Sequence, residues 1–154
     1  MSVYVVDASV AAKWFLEEEH TQSARCVLNV TNQLHAPDFF LLEMDNLLCK
    51  HIRRGSISVA DGKDIRSGLA RYSIEYCPFG QLRDSAYSLA NQTTRSLYDC
   101  LYLCLAIRLN AQMVTANRRL YDALADGPLA EHVLWVGNLA SNQNPHHRAG
   151  ESQT

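Results

Sequence analysis

Three carboxylates and one amide stand where packing alone would not place them. Asp7 closes the apolar, β-branched run VYVV, Glu43 lies inside FFLLEMDNLL, Asp99 falls in SLYDCLYLCLA, and Asn117 follows MVTA. An ionised group at the end of a core element is costly unless something compensates it, and a divalent cation would compensate all three acids together. Their ligands are hard oxygens with no cysteine or histidine among them, which suits Mg²⁺ or Mn²⁺ rather than zinc. Such an ion makes a bound water nucleophilic and neutralises negative charge that develops beside it. Each residue also has a plain structural use. Asp7, Ser9 or Asn117 can cap a helix, Ser96 and Asp99 fit a capping box, and Glu43 fits a solvated stripe.

Hydrophobic periodicity sets the elements that must position these groups. Val3 to Val6 reads as a buried strand, followed by a helix over Ser9 to Leu16 and a second helical face at Ala24, Val27 and Leu28. Leu34 to Ala36 reads as a short strand stopped by Pro37, with Asp38 as the N-cap of a helix reaching about Arg53 and closed by Gly55. Ser58 and Asp61 form a capping box for a helix with the stripe Ile65, Leu69 and Tyr72. Ile74 to Cys77 alternates like a strand, and Leu82, Ala86, Leu89 and Ala90 mark a helix. Leu97 to Leu109 is apolar nearly all round, which predicts a central buried helix. Met113 to Thr115 and Val133 to Val136 supply two further strands, with a short helix over Arg118 to Leu124 between them.

Strands alternating with helices imply a mostly parallel sheet covered on both faces, an α/β fold. Ligands bind such sheets beyond the carboxyl ends of the strands, where Asp7 and Asn117 both fall. Residues 1–137 are expected to form one domain, and the polar segment 138–154 a disordered tail.

Composition narrows the function classes. A chain of 154 residues that is 47% hydrophobic and 19% charged can build one real core, which argues against disorder outside the tail. The five cysteines lack C-x-x-C spacing, so neither a disulfide framework nor a zinc ribbon is indicated, and a reducing, cytoplasmic setting is expected. No apolar run approaches membrane-spanning length and no leader pattern is evident, so a soluble protein with no membrane partner is expected. A net charge of -2 gives no global footprint for nucleic acid, and any such binding must use local patches. The cations available for that are Lys13, Lys50, Arg53, Arg54, Arg95, Arg118 and Arg119. Cys100 and Cys104, one turn apart on an apolar helix, read as core thiols, and Trp14 and Trp135 as core or interface residues.

The segments DAS at Asp7 to Ser9, LLEMDNLL around Glu43 and Asn46, SLYDCLYLCLA around Ser96 and Asp99, and VTANRRL around Asn117 together resemble the signature segments of PIN-domain ribonucleases. The resemblance is greatest to VapC-type toxins of toxin-antitoxin pairs. It implies a PIN-like α/β fold with a five-stranded, mostly parallel sheet sandwiched between helices, and an acidic pocket holding Mg²⁺ or Mn²⁺ that cuts single-stranded or loop RNA. By matched position, Asp7, Glu43 and Asp99 are the catalytic, metal-binding acids, Ser9 orients groups near the metal, and Asn46 and Ser96 support them. The family commonly has a fourth acid where this chain has Asn117, which leaves the occupancy of a second metal open. Asp45 and Asp122 are turned too far round their helices to replace it. The resemblance further implies a homodimer and silencing by a small antitoxin protein, for which Trp14, Phe15 and Leu28 could supply a groove. Arg53, Arg54, Arg118 and Arg119 are the leading candidates for RNA contacts. Two other readings compete: a phospho-signalling receiver, and a PIN domain of weak or no catalytic power that binds RNA or regulates.

Overall fold

The computed structural model describes residues 2–139. Five short strands, β1 (Val3–Val6), β2 (Gln33–Pro37), β3 (Ile74–Cys77), β4 (Gln112–Thr115) and β5 (Val133–Trp135), form one sheet in the order β3-β2-β1-β4-β5. Every pairing is parallel, with Val5 of β1 opposite His35 of β2 and Met113 of β4. Strands of three to five residues hold because both faces are covered, which is why Val5, Val6, Ala36, Met113 and Val114 are wholly buried. Seven helices among the described residues flank the sheet: α1 (Ala8–Ala12), α2 (Thr21–Cys26), α3 (Phe39–Arg53), α4 (Val59–Leu69), α5 (Arg83–Thr93), α6 (Leu97–Arg108) and α7 (Arg118–Leu124).

From β1 the chain steps outward through β2 and β3, then returns to the other side of β1 for β4 and β5. The direction of winding reverses between β1 and β4, and the crevice beyond their carboxyl ends is where an open α/β sheet binds ligands. A receiver winds instead with its third strand beside its first, so this order excludes that reading.

Helix α6 is the central element. Cys100 to Ala106 are buried without a break, and α6 packs against β1, β2, β4 and α5. The capping box of α4 forms in full, Ser58 Oγ accepting from Asp61 N–H at 3.0 Å and Asp61 Oδ2 from Ser58 N–H at 2.9 Å. Gly55, at φ +77°, takes the left-handed turn that ends α3.

Three expectations are corrected. Helix α1 stops at Ala12, and the chain continues to Phe15 in tighter i to i+3 turns that carry the Trp14 ring inward, where Nε1 donates to Ala24 O at 2.9 Å. With Trp14 only 5% exposed, it belongs to the core and not to a docking groove. Asp38 does not cap α3: its own backbone is already helical, and Oδ1 accepts from Phe79 N–H at 2.9 Å, tying the start of α3 to the turn after β3. Leu139, assigned from the sequence to the tail, is fully buried, because the turn at Val136–Asn138 packs on α2 and carries this apolar side chain into the core. The remainder of the expected tail, residues 140–154, lies outside the described residues.

Candidate active site

The crevice between β1 and β4 is closed by a chain of hydrogen bonds between chain segments more than a hundred residues apart. Asp7 is the N-cap of α1, and Oδ1 accepts from Ser9 N–H at 3.3 Å. Its Oδ2 accepts from the Thr115 hydroxyl at 2.9 Å, and that hydroxyl accepts in turn from Asn117 N–H at 3.0 Å. Because Asn117 N–H occupies a lone pair of Thr115 Oγ1, the hydroxyl proton is directed at Asp7 and the bonds reinforce one another. Ser9 crosses the other way, its Oγ accepting from Ala116 N–H at 3.2 Å. Asp7 is thereby held in one orientation while only 7% exposed.

Three elements bring three carboxylates into one field. Burial raises the pKa of Asp7, opposed by its bonds from Thr115 and Ser9 and reinforced by the charge of Asp99. Glu43, on the second turn of α3, is pushed up to about 7, first by burial and then by the charges of Asp7 and Asp99. Asp99, in the first turn of α6, is raised by burial and drawn back down by the Ser96 hydroxyl and the Arg95 guanidinium. The capping box expected at Ser96 is half made. Ser96 Oγ accepts from Asp99 N–H at 3.1 Å, and the return bond that α4 shows at Asp61 has no counterpart at Asp99 among the described residues.

Tyr102 and Thr115 belong to this site and were given no role in the sequence reading. Tyr102 lies three residues after Asp99, hence on the same face of α6. Its buried hydroxyl makes no hydrogen bond of normal geometry, and its pKa is raised by burial and by the charges of Asp7 and Glu43. The i to i+3 spacing was the available signal for Tyr102. For Thr115 it was a hydroxyl at the last position of a strand beside β1.

The remaining candidates divide. Asn117 stands at the same rim but its Oδ1 caps α7, accepting from Leu120 N–H at 3.2 Å. Asn46 lines an open groove beside Glu43. Asp45 is paired with Arg66 at 2.8 Å and Asp122 with Arg118 at 3.2 Å, so neither neighbouring acid faces the crevice. Arg118 also lies 4.9 Å from the centroid of the Trp135 ring, and Lys13 is largely buried against Glu18 at 3.2 Å, so both are engaged. Arg119 is exposed beside the crevice, whereas Arg53 and Arg54 are exposed at the far end of α3, about 15 Å along the helix from Glu43.

Among the described residues, no three His, Cys, Asp or Glu side chains stand close enough to hold an ion as they are. The donor chemistry nevertheless fits a hard divalent cation: three all-oxygen acids in one electrostatic field, with the buried Tyr102 hydroxyl beside Glu43. No helix among the described residues is long and apolar enough to cross a membrane.

A family model for the PIN domain matches residues 4–125. Ribonuclease VapC3 of Pyrobaculum aerophilum is 27% identical over 120 residues, covering 77% of this chain and 92% of that protein. Ribonuclease VapC9 of Mycobacterium tuberculosis is 29% identical over 118 residues, covering 77% and 88%. Among solved structures, PAE2754 from Pyrobaculum aerophilum superposes with a TM-score of 0.67 at 19% identity, over 91% of this chain and 88% of that one. The structure of VapBC2 from Rickettsia felis bound to a DNA fragment from their promoter gives 0.57 at 13% identity, over 86% and 98%.

Proposed function

This chain belongs to the PIN-domain family, and from that premise we propose that it is a metal-dependent endoribonuclease, the toxin of a toxin-antitoxin pair. The observation that carries the reading is the gathering of Asp7, Glu43 and Asp99, from β1, α3 and α6, into one field at the point where the sheet reverses its winding. Nothing in packing requires three like charges there.

Asp7, Glu43 and Asp99 would hold Mg²⁺ or Mn²⁺, which when bound supplies a more acidic water and charge neutralisation at the scissile phosphate. The chain's own contribution is preorganisation. Thr115 and Ser9 fix the Asp7 carboxylate and leave each of its oxygens a further lone pair. Burial keeps the site poorly solvated, so each electrostatic contact with substrate counts for more than it would in water. Without a cation Glu43 is pushed up to about 7 by burial and its acidic neighbours, so at neutral pH it would give up its proton as the cation is taken up. Arg119, exposed beside Asn117, is placed to meet a substrate phosphate.

The reading extends to partners. The VapBC structures among the neighbours support a small antitoxin, and Phe15, packed on Gly68 and Tyr72, and Leu28, just after α2, both half-exposed, remain candidates for its contacts. A homodimer working in the cytoplasm is part of the same proposal, supported by family membership. The reading of a PIN domain that binds RNA without cutting it draws on Asn117, whose amide oxygen is committed to α7 and brings no charge. Incubating the purified chain with short single-stranded RNAs, with Mg²⁺, with Mn²⁺ and with a chelator, separates the two. Internal cuts that the chelator stops support the enzyme, and binding without cuts supports the module.

A further inference from the structure

Beside the acids, α3 and the first turn of α6 enclose an open groove of about 570 Å³, within the range of small-molecule sites. Its wall is an aromatic pair. Phe39 and Tyr98 stack with ring centroids 5.0 Å apart and planes 12° from parallel. Phe39 is half-buried and packs on the core, while Tyr98 is 57% exposed, so the inner ring holds the outer one in a fixed plane.

We propose that this groove is a nucleobase subsite, in which Tyr98 stacks on the base adjoining the scissile phosphate of the RNA. The proposal rests on the ribonuclease reading. Phe39, Glu43, Asn46 and Lys50 follow one another at helical spacing along a single face of α3. The ring pair therefore sits about 6 Å along the axis on one side of Glu43, and Lys50 about 10 Å on the other. That order, a flat ring, an acid of the catalytic set, then an exposed cation, matches a base, the phosphate to be cut and a neighbouring phosphate.

The lining is mostly apolar, with Leu42 and Leu47 beside the ring pair, and its polar members Glu43, Asn46 and Lys50 run in one row; a base, apolar on its faces and polar at its edges, matches that mixture. An apolar helix laid here would desolvate Glu43 and Asn46 without pairing them. A base instead brings a π-face for Tyr98 and polar edges for Asn46, whose amide both donates and accepts. Aromatic stacking of this kind tolerates any base and adds affinity at each one it meets.

Cleavage of a pool of short RNAs by the parent chain, Tyr98→Ala and Tyr98→Phe tests the proposal. Binding of an RNA bearing a fluorescent purine analogue to the non-cleaving Asp7→Asn protein, with and without Tyr98→Ala, is measured alongside. The expected result is a roughly tenfold to hundredfold fall in kcat/KM for the alanine variant, carried by KM, with loss of analogue quenching and full rescue by phenylalanine. Parent-like kinetics and quenching in Tyr98→Ala, while the parent cuts RNA, overturn the subsite and leave the ribonuclease reading standing. So does a change in oligomeric state or antitoxin binding with kinetics unchanged, which would make the groove a protein interface. A parent that neither cuts nor binds RNA overturns both.

Discussion

Asn117 stands where the resemblance to PIN-domain ribonucleases leads one to expect a fourth acid, and its surroundings show what the amide does instead. An amide caps α7 as well as a carboxylate would, so the fold loses nothing by it. An aspartate there would keep the cap and add a charge beside Asp7. At an effective dielectric of 20, two unit charges about 4 Å apart interact by roughly 4 kcal/mol, and a divalent ion doubles that before desolvation. Even a small surviving fraction is tenfold in affinity, since each step of about 1.4 kcal/mol is a factor of ten. Asn117→Asp should therefore lower the Mg²⁺ concentration for half-maximal RNA cleavage by roughly tenfold or more, while repulsion from Asp7 lowers Tm in the absence of metal. A metal titration of the two proteins checks it, and an unchanged or higher requirement would mean that position 117 does not face the metal. At this scale the three acids were legible because charge at the end of an apolar run is conspicuous. Thr115 and Tyr102 were not, because a hydroxyl carries no such cost until its partner across the sheet is known.

Elements were legible where a local rule decides them and illegible where a distant partner does. The capping box at Ser58 and Asp61, the glycine turn at Gly55 and the all-round apolar α6 are each set by neighbours in sequence. The end of α1, the side chain of Asp38 and the burial of Leu139 are set by Ala24, Phe79 and α2 respectively, none of them near in sequence. The bond from Trp14 Nε1 to Ala24 O ties the turn after α1 to α2, and both ends are buried. Trp14→Phe removes the donor and leaves the Ala24 carbonyl only the longer bond from Val27 N–H at 3.4 Å, which should cost about 0.5–1.5 kcal/mol. Urea denaturation monitored by far-ultraviolet circular dichroism measures that loss. Since Asp7 opens α1 and is held independently from β4, cleavage by the folded variant should stay near the parent rate.

At the scale of the whole molecule, the sequence indicated alternating strands and helices, and the strand order then explains why groups from separate elements meet. The same gathering makes the protein's stability depend on pH. Glu43 titrates at about 7 when folded against 4.5 ordinarily, with burial the largest cause. Between those values the folded protein keeps a proton that the unfolded chain has released, so stability falls as pH rises through this window. The raised Asp7 and Asp99 act in the same direction. Mg²⁺ competes with those protons, and should raise Tm more at about pH 8 than at about pH 5. Thermal melts across that range, with and without Mg²⁺, would show the two curves separating as pH rises; parallel curves would argue against a metal held by these acids. The central claim is that Asp7, Glu43 and Asp99 form one hydrolytic centre for RNA. It is tested most directly by comparing Mg²⁺-dependent RNA cleavage by the parent, Asp7→Asn and Asp99→Asn, each with its circular dichroism spectrum. The account predicts cutting by the parent and none by either variant, with all three spectra alike; a fully active Asp7→Asn or Asp99→Asn would contradict it.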